Sequence, residues 1–317
     1  MRKKKSKIKK GNVKIPSKLI PAVAGVLVIV FMFFLKIYSS EKPQIGNYKF
    51  ASEQTLVQLS KNKNLSRIQI TISPTLVPTD TPKPTPVQEE LDPNAFCLNV
   101  PVIYYHHIEP LDQARKDGHA QLTVDSEIFD QQMKYLVDRG YNSISADDLV
   151  NALVSHQQIP GKPIVVTIDD GYKDTYQYAF QTAKKYNIKL NLMIPTGLLE
   201  NEGYMSWSQL KEMVDSGFAY AYDHTWSHYS LPHGGDEKDQ MEIMVAKTQL
   251  EEHLGKPVKI FSYPYGTYDP RIVNLLKTNG FSAAFTTIPS RYQCDSAIYL
   301  LKRFRIGNSS LSAYGIY

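Results

Sequence analysis

The stretch Ile164-Val-Val-Thr-Ile-Asp-Asp-Gly171 has the pattern of a buried β-strand that ends in two adjacent carboxylates. The β-branched run favours a strand covered on both faces, and Gly171 indicates a turn directly after it. Asp169 and Asp170 then lie at the carboxyl end of a strand, where α/β barrels keep their active sites. Neighbours on an extended chain point in opposite directions, so we expect one carboxylate to bind a cation and the other to reach a water. Asp-Gly is also a common turn signal, so the two aspartates alone do not distinguish an active site from an ordinary turn.

Apolar, β-rich segments alternate with helical patterns on both sides of this strand. The expected strands cover residues 100–105, 164–168, 190–194, 218–222, 258–263, 282–286 and 299–306, and the expected helices cover 127–139, 173–186, 207–216, 238–254 and 270–278. This alternation is typical of parallel βαβ units. About seven strands over roughly 220 residues predict an α/β fold, a distorted (β/α)7-type barrel.

Two histidines four residues apart, His224 and His228, follow a later strand. Thr225, Trp226 and Ser227 between them are poor helix formers, so we expect a loop. Such a pair is often accidental on a protein surface. Together with Asp170, however, it forms a set of two histidines and one carboxylate that leaves metal positions open for water and substrate, as catalytic sites do.

The first 96 residues differ from the rest in composition. Residues 1–18 hold nine Lys and Arg and no acid, and we predict a basic cytoplasmic segment. Residues 19–35 form an uncharged apolar run, and we predict a transmembrane anchor over residues 19–38, with the remainder of the chain outside the cell. A cleaved signal peptide has the same order of charges and would give a secreted protein. Residues 39–96 include a Pro/Thr-rich run and predict an extended extracellular stalk, and residues 97–317 form the folded domain.

The net charge of +5 comes from the N-terminal segment. Removing its nine basic residues and Lys36 from the 36 Lys and Arg leaves 26 against 31 Asp and Glu. An acidic external domain excludes nucleic acid as a partner, while the N-terminal lysines suit anionic lipid headgroups. The composition predicts no oligomeric state. Cys97 and Cys294 would lie outside the cell, where a disulfide can persist, but two free thiols are equally compatible with the sequence.

Three motifs together resemble the NodB-type polysaccharide deacetylases, carbohydrate esterase family four. They are Thr167-Ile-Asp-Asp-Gly171, His224-Thr-Trp-Ser-His228 and Ser262-Tyr-Pro-Tyr-Gly266. Their order, spacing and strand context agree with that family across residues 98–310. The resemblance implies the barrel fold of that family and a catalytic domain over residues 97–317.

The resemblance also implies residue roles. Asp169 would be the general base, and Asp170, His224 and His228 would hold a divalent metal, with zinc expected and cobalt, nickel, iron or manganese as alternatives. The backbone N–H of Tyr265 would stabilise the tetrahedral oxyanion. Tyr265 and Trp226 are expected to contact the sugar.

The third motif departs from the family, which usually has Arg at the position of Ser262. The cation that orients the base must then come from elsewhere, and we predict Arg303, with Arg305 as the alternative. For either arginine, a solvated charge at a strand end is the competing interpretation.

The general acid is the second departure, because the family usually takes it from a late histidine and no histidine follows His253. The early stretch Val102-Ile-Tyr-Tyr-His-His-Ile108 resembles the Tyr-His motif of a permuted subgroup that includes biofilm poly-N-acetylglucosamine deacetylases. We therefore predict His106 as the acid, with His107 as the weaker candidate and a hydrogen-bonded pair as the alternative. His119 is predicted to lie in a polar loop without a functional role.

These expectations combine into a membrane-anchored extracellular hydrolase. It would remove N-acetyl groups from an N-acetylglucosamine polymer, either peptidoglycan or poly-N-acetylglucosamine, in a metal-dependent reaction. O-deacetylation of a xylan-like polysaccharide uses the same machinery and is one alternative. A non-catalytic glycan-binding protein is the other, although binding alone does not require a base beside a metal.

Overall fold

A computed structural model describes residues 92–317, and a parallel β-sheet forms its centre. The strands are β1 (Cys97–Asn99), β2 (Val102–Tyr105), β3 (His107–Glu109), β4 (Thr123–Asp125), β5 (Tyr141–Ser143), β6 (Lys162–Asp169), β7 (Leu190–Ile194), β8 (Ala219–Asp223), β9 (Ile260–Ser262), β10 (Ala283–Phe285), β11 (Tyr292–Cys294) and β12 (Phe304–Arg305). The α-helices are α1 (Leu111–Asp117), α2 (Ser126–Asp138), α3 (Ala146–Val154), α4 (Phe180–Tyr186), α5 (Trp207–Asp215), α6 (Asp236–Leu254) and α7 (Pro270–Thr278).

The main sheet has the order β10-β9-β8-β7-β6-β2-β12, and β5 also pairs with β6. All of these pairings are parallel. The two ends of this order approach each other, because Phe285 forms a parallel bridge with Leu301 and Arg303 donates its backbone N–H to Ile288 at 2.9 Å. The predicted α/β fold is therefore confirmed, and the expected distorted (β/α)7-type barrel takes the form of a curled parallel sheet with helices.

The pattern of β6 explains why the sheet can be covered on both sides. Ile164, Val166 and Ile168 belong to the core formed with helices such as α2 and α4, and all three are buried. Val165 belongs to the opposite core, which includes Met193 of β7. Alternate residues of a strand point to opposite faces, so Asp169 lies on the same side as Val165. The base candidate thus points toward the inside of the curled sheet.

Local sequence signals set the helix boundaries. Ser145 and Ser206 each form a capping box with a residue three positions later, which satisfies backbone N–H groups at the start of α3 and α5. Helix α7 begins at Pro270 after Asp269, whose side chain accepts from the backbone N–H of Ile272. The predicted range 270–278 for this helix is confirmed.

Other predicted elements differ in part from the structure. The segment 100–105 was expected to be one strand, but the chain leaves β1 before Pro101 and enters β2 after it. The helix expected over 173–186 forms with those bounds, but its turn Thr175–Ala179 is π-helical and not α-helical. Of the strand expected over 299–306, only β12 forms a ladder.

A disulfide joins Cys97 and Cys294. Strands β1 and β11 pair antiparallel, and the two cysteines are direct partners in that register. The bond therefore connects the beginning of the folded domain to a segment 197 residues later.

No helix within residues 92–317 is both long and apolar enough to cross a membrane. The basic segment 1–18 and the predicted anchor 19–38 lie outside the described residues, as does nearly all of the stalk 39–96.

Candidate metal centre and active-site cleft

Asp170, His224 and His228 converge at the carboxyl ends of two strands. Asp170 follows β6 directly, and both histidines lie in the predicted loop after β8. Asp170 Oδ1 is 3.5 Å from His224 Nε2 and 3.2 Å from His228 Nε2. Asp170 and His228 adopt left-handed backbone conformations, with φ of 73° and 58°. These turns direct the side chains toward one point at the mouth of the sheet.

The hydrogen bonds around this cluster orient it for a cation. The Nδ1–H of His224 donates to the buried carbonyl oxygen of Ser262 at 2.7 Å, which leaves Nε2 free to face Asp170. Asp170 Oδ1 is buried and has no hydrogen-bond partner among residues 92–317. A buried oxygen without a partner is costly unless a cation binds it.

The electrostatics favour the forms of these side chains that bind metals. Burial opposes the ionisation of Asp170, yet the close contact and charge of His224, with the charges of His228 and His106, hold its pKa well below the usual value. Burial and the neighbouring His224 lower the pKa of His228 to about 4. At neutral pH the cluster therefore offers a carboxylate and a neutral imidazole. The three ligand atoms lie within 4.8 Å of one another, and the set fits a divalent transition metal.

Arg303 binds the neighbouring carboxylate. Its Nη1 donates to Asp169 Oδ1 at 2.7 Å and its Nη2 donates to Asp169 Oδ2 at 2.9 Å. The guanidinium also donates to Thr167 Oγ1, to Ser262 Oγ and to the Thr286 carbonyl, and the side chain is fully buried. Arg305, the alternative, is exposed and donates instead to the carbonyl of Gln121. Ser262, where the family usually has Arg, thus touches the arginine that pairs with Asp169.

His106 lies beside the two aspartates. It directly follows β2, and the register that pairs Tyr105 with Ile168 brings it level with Asp169. Burial lowers the pKa of His106, although the charges of Asp169 and Asp170 oppose this effect. His107, the weaker candidate, faces a different group of residues, because its Nδ1 lies 2.6 Å from Asp174 Oδ2.

The metal cluster, Asp169, Arg303 and His106 open onto one cleft of about 580 Å³. Besides the metal cluster and Asp169, its lining consists of Tyr104, His106, Leu122, Tyr172, Leu198, Tyr204, Ser227, Tyr263, Tyr265, Thr287, Arg303 and Arg305. Apolar and aromatic walls with a few convergent polar groups are typical of sites for organic ligands.

Tyr265 contributes to this cleft and Trp226 does not. Tyr265 lies in the turn Pro264–Gly266 with φ of 60°, and its ring edge contacts His228 at 4.6 Å between centroids. Trp226 packs against the backbone of Gly197, where an added Cβ would lie 2.6 Å from the indole. Trp226 therefore does not line this cleft, and its contact with the sugar stays a prediction.

The sequence interpretation missed two aromatic residues of the cleft, Tyr172 and Tyr204. They form an antiparallel bridge with each other, and their rings lie 5.2 Å apart between centroids. Tyr172 directly follows Gly171, so its place beside the first motif is a signal that could have found it. Tyr204 lies in an irregular loop and carries no such signal.

Known proteins match this chain in sequence and structure. The family model described as polysaccharide deacetylase matches residues 156–284. The Streptococcus pyogenes deacetylase PplD, solved with acetate, is 26% identical, with a TM-score of 0.62 over 65% of this chain and 92% of that one. A polysaccharide deacetylase from Bacillus cereus is 30% identical, with a TM-score of 0.58 over 68% of this chain and 67% of that one. The poly-β-1,6-N-acetyl-D-glucosamine N-deacetylase of Escherichia coli is 22% identical over 227 residues, which cover 58% of this chain and a third of that enzyme (33%).

The family model covers the segment that carries the aspartate pair and the histidine pair. On these grounds the chain belongs to the polysaccharide deacetylase family and is a deacetylase of the hydrolase class.

Proposed function

We propose that this protein is a metal-dependent N-deacetylase of an N-acetylglucosamine polymer at the cell surface. One observation carries the proposal: a three-residue metal cluster and an arginine-paired aspartate open onto the same cleft. A glycan-binding protein needs neither a buried base nor a ligand set with open positions, whereas metal-assisted hydrolysis of an amide uses both.

The metal cluster and Asp169 divide the work of activating water. A divalent ion held by Asp170, His224 and His228 would supply Lewis acidity and lower the pKa of water toward about 7. Asp169 then accepts the proton of the attacking water, a general-base contribution of roughly 10²–10⁴ in rate. Arg303 orients Asp169 through both carboxylate oxygens, which fixes the direction of proton transfer.

His106 and Tyr265 act on the later part of the reaction. His106 lines the cleft beside Asp169 and donates a proton to the nitrogen of the leaving amine. The backbone N–H of Tyr265 stabilises the negative charge that develops on the acetamide oxygen, and one such donor is worth about 3 kcal/mol. The amine leaves as a free amino group on the sugar, and acetate is the second product.

The names of the relatives support the substrate class. The matched enzymes of Escherichia coli and Staphylococcus aureus are named as deacetylases of poly-β-1,6-N-acetyl-D-glucosamine. Both are N-deacetylases by name, which favours amide over ester hydrolysis. We therefore place poly-N-acetylglucosamine first and peptidoglycan second as substrates of this chain.

The proposed location is the outer face of the cell membrane, with residues 19–38 as the anchor and 39–96 as the stalk. The disulfide between Cys97 and Cys294 supports an external domain, because such bonds persist in oxidising compartments. A tethered catalytic domain suits a polymer that is too large to enter the cell.

The test is product analysis on defined polymers. The full-length chain in mild detergent, supplied with zinc, is incubated with poly-N-acetylglucosamine, peptidoglycan and acetylxylan, and acetate and free amine are both measured. We expect equal amounts of acetate and amine from an N-acetylglucosamine polymer. Acetate without amine from acetylxylan would identify an O-deacetylase, and no acetate from any polymer would contradict the proposal.

Asp169→Asn is the matched control, because the side chain keeps its shape and loses its basic oxygen. Acetate release should fall by roughly 10²–10⁴ while the bound metal stays the same, since Asp169 is not among the ligands. Unchanged turnover would show that another group acts as the base.

A further inference from the structure

His107, Glu109 and His119 form a second cluster that shares no residue with the first one. His107 and Glu109 are two apart on β3, so their side chains leave the strand on the same face. His119 comes from the turn after α1, and β4 holds that turn in place. The Thr123 hydroxyl donates to the carbonyl of His119 at 3.0 Å. Because β4 pairs with β3 through Thr123 and His107, the three side chains meet at one point.

The ring nitrogens of both histidines are oriented by hydrogen bonds on their other side. The Nδ1–H of His107 donates to Asp174 Oδ2 at 2.6 Å, and Asp174 Oδ1 accepts from the backbone N–H of Ile108. A carboxylate on Nδ1 leaves the lone pair of Nε2 available, as in many histidine ligands of metals.

His119 is oriented by Thr123 in the same way. Because the Thr123 hydroxyl gives its proton to the His119 carbonyl, its oxygen accepts from Nδ1 of the His119 ring, which lies 3.2 Å away. The unprotonated Nε2 of His119 then lies 3.3 Å from Glu109 Oε1. A lone pair and a carboxylate oxygen thus face each other without a proton between them.

The orientation of the His119 ring is one indication that this cluster binds a cation, and Glu109 gives a second. The residue is 9% exposed, and its Oε1 has no hydrogen-bond partner within residues 92–317. A buried carboxylate oxygen that faces an imidazole lone pair is destabilising unless a positive charge lies between them.

We propose that His107, Glu109 and His119 bind a second divalent transition-metal ion of the zinc class. Two imidazole nitrogens and one carboxylate oxygen suit zinc, cobalt or nickel, whereas magnesium and calcium prefer oxygen ligands throughout. The ligand atoms lie within 4.8 Å of one another, against a separation of roughly 3.3 Å in a tetrahedral site. The rings of His107 and His119 are stacked at 3.9 Å between centroids, so binding the ion requires one of them to rotate out of the stack.

This ion would stabilise the part of the cleft that carries the acid candidate. His107 directly follows His106, and the Tyr172 ring stacks on His107 at 3.6 Å between centroids. Tyr172 itself lines the cleft. The second ion thus acts as a structural clip behind the cleft, and it does not depend on the reaction proposed above.

The test counts bound metal in matched variants. The full-length chain without a polyhistidine tag is loaded with zinc in mild detergent, dialysed, and analysed for metal by mass spectrometry. We expect two equivalents in the wild type, one in Asp170→Asn, one in Glu109→Gln, and none in the double variant. His233→Asn, which changes a histidine outside both clusters, should keep two equivalents. Circular dichroism at each step confirms that the variants are folded.

Each metal count either supports or contradicts the second site. The second site would be contradicted if Glu109→Gln bound as much zinc as the wild type. This holds whether both proteins bind one equivalent or both bind two. If Glu109→Gln does not fold, His119→Asn replaces it, because His119 lies in a surface turn. The Asp170→Asn count reports on the first cluster separately, so failure of the second site and failure of the proposed deacetylase are distinguishable.

Discussion

The guanidinium of Arg303 binds both carboxylate oxygens of Asp169, although the two residues are 134 positions apart in the chain. Both side chains are buried, and two parallel N–H···O bonds fix the orientation of the carboxylate. Each buried charge is stabilised by the other. We therefore expect the pair to contribute to stability and, as proposed above, to catalysis, and the two contributions can be measured separately.

Arg303→Met should destabilise the fold, because it leaves Asp169 buried without its partner. Breaking a buried ion pair from one side costs about 3–5 kcal/mol, measured as the loss of unfolding free energy in denaturant. Arg305→Met is the matched control: it changes an exposed arginine two positions away and should cost within about 0.5 kcal/mol. Equal losses in the two variants would contradict the importance of the pair.

Moving the arginine to the position of Ser262 should restore part of the function. Ser262 Oγ lies 3.0 Å from Arg303 Nη2, so an arginine at 262 can reach the space that Arg303 vacates. We expect Arg303→Ser to lose activity and the double variant Arg303→Ser/Ser262→Arg to regain roughly ten-fold, since positioning effects of this kind reach about 10² in rate. Acetate release from poly-N-acetylglucosamine measures both. If the double variant is as slow as Arg303→Ser, an arginine at position 262 cannot orient Asp169, and the orientation requires the arginine at position 303.

His106→Gln should reduce turnover without loss of metal from Asp170, His224 and His228. A general acid contributes roughly 10²–10⁴ in rate, and glutamine cannot replace it. Burial lowers the pKa of His106, so the acid form is present below that pKa and disappears as the pH rises through it. The fall of kcat on the alkaline side in the wild type should therefore be absent in His106→Gln. Near-wild-type turnover in this variant would assign the proton to another group.

The metal-free chain should lose stability as the pH falls from about 6.5 to about 4. The pKa of His228 is about 4 in the folded chain, against an ordinary value of 6.5, so the unfolded chain binds the extra proton over this range. The contribution is fully present above pH 6.5 and amounts to roughly 2–3 kcal/mol lost by pH 4. Denaturant unfolding after chelation measures it, and His228→Asn should show a shallower pH dependence. If the unfolding free energy of His228→Asn fell with pH as steeply as that of the wild type, His228 would not be the group that takes up the proton.

Removing the disulfide should weaken the fold and spare the chemistry. The bond closes a loop of 197 residues, and the chain-entropy model assigns about 5 kcal/mol to a loop of this length. Cys97→Ser/Cys294→Ser and the reduced wild type should show the same lower unfolding free energy. Acetate release at low temperature should persist, because neither cysteine lines the cleft. A wild type whose stability does not respond to reductant would contradict this account.

The parts of the molecule that the sequence predicted well are those with local signals. The β-branched run of β6 and the aspartates after it need only neighbours in the chain to be recognised, and the loop between His224 and His228 follows from its poor helix formers. Arg303 was predicted because Ser262 stands where the family usually has Arg, and the carboxylate of the base still requires a cation beside it.

The parts that were missed depend on contacts between distant segments. The partner of Cys97 is set by the pairing of β1 with β11, and two cysteines alone do not specify a bond. His119 has the composition of an ordinary loop, and only the pairing of β3 with β4 brings it to Glu109. The position of Trp226 depends on the left-handed backbone conformations of Thr225 and His228, and no local sequence pattern predicts them.

The placement of Arg303 directly before β12, the last strand in the chain, has a consequence for the timing of activity during synthesis. A growing chain contains the whole metal cluster once His228 has been made, but Asp169 has no orienting partner until the segment around Arg303 emerges and β12 joins β2. The nascent chain thus carries all three proposed metal ligands well before Asp169 gains its arginine. With Asp169 as the proposed base, we expect chains that end before Arg303 to release no acetate.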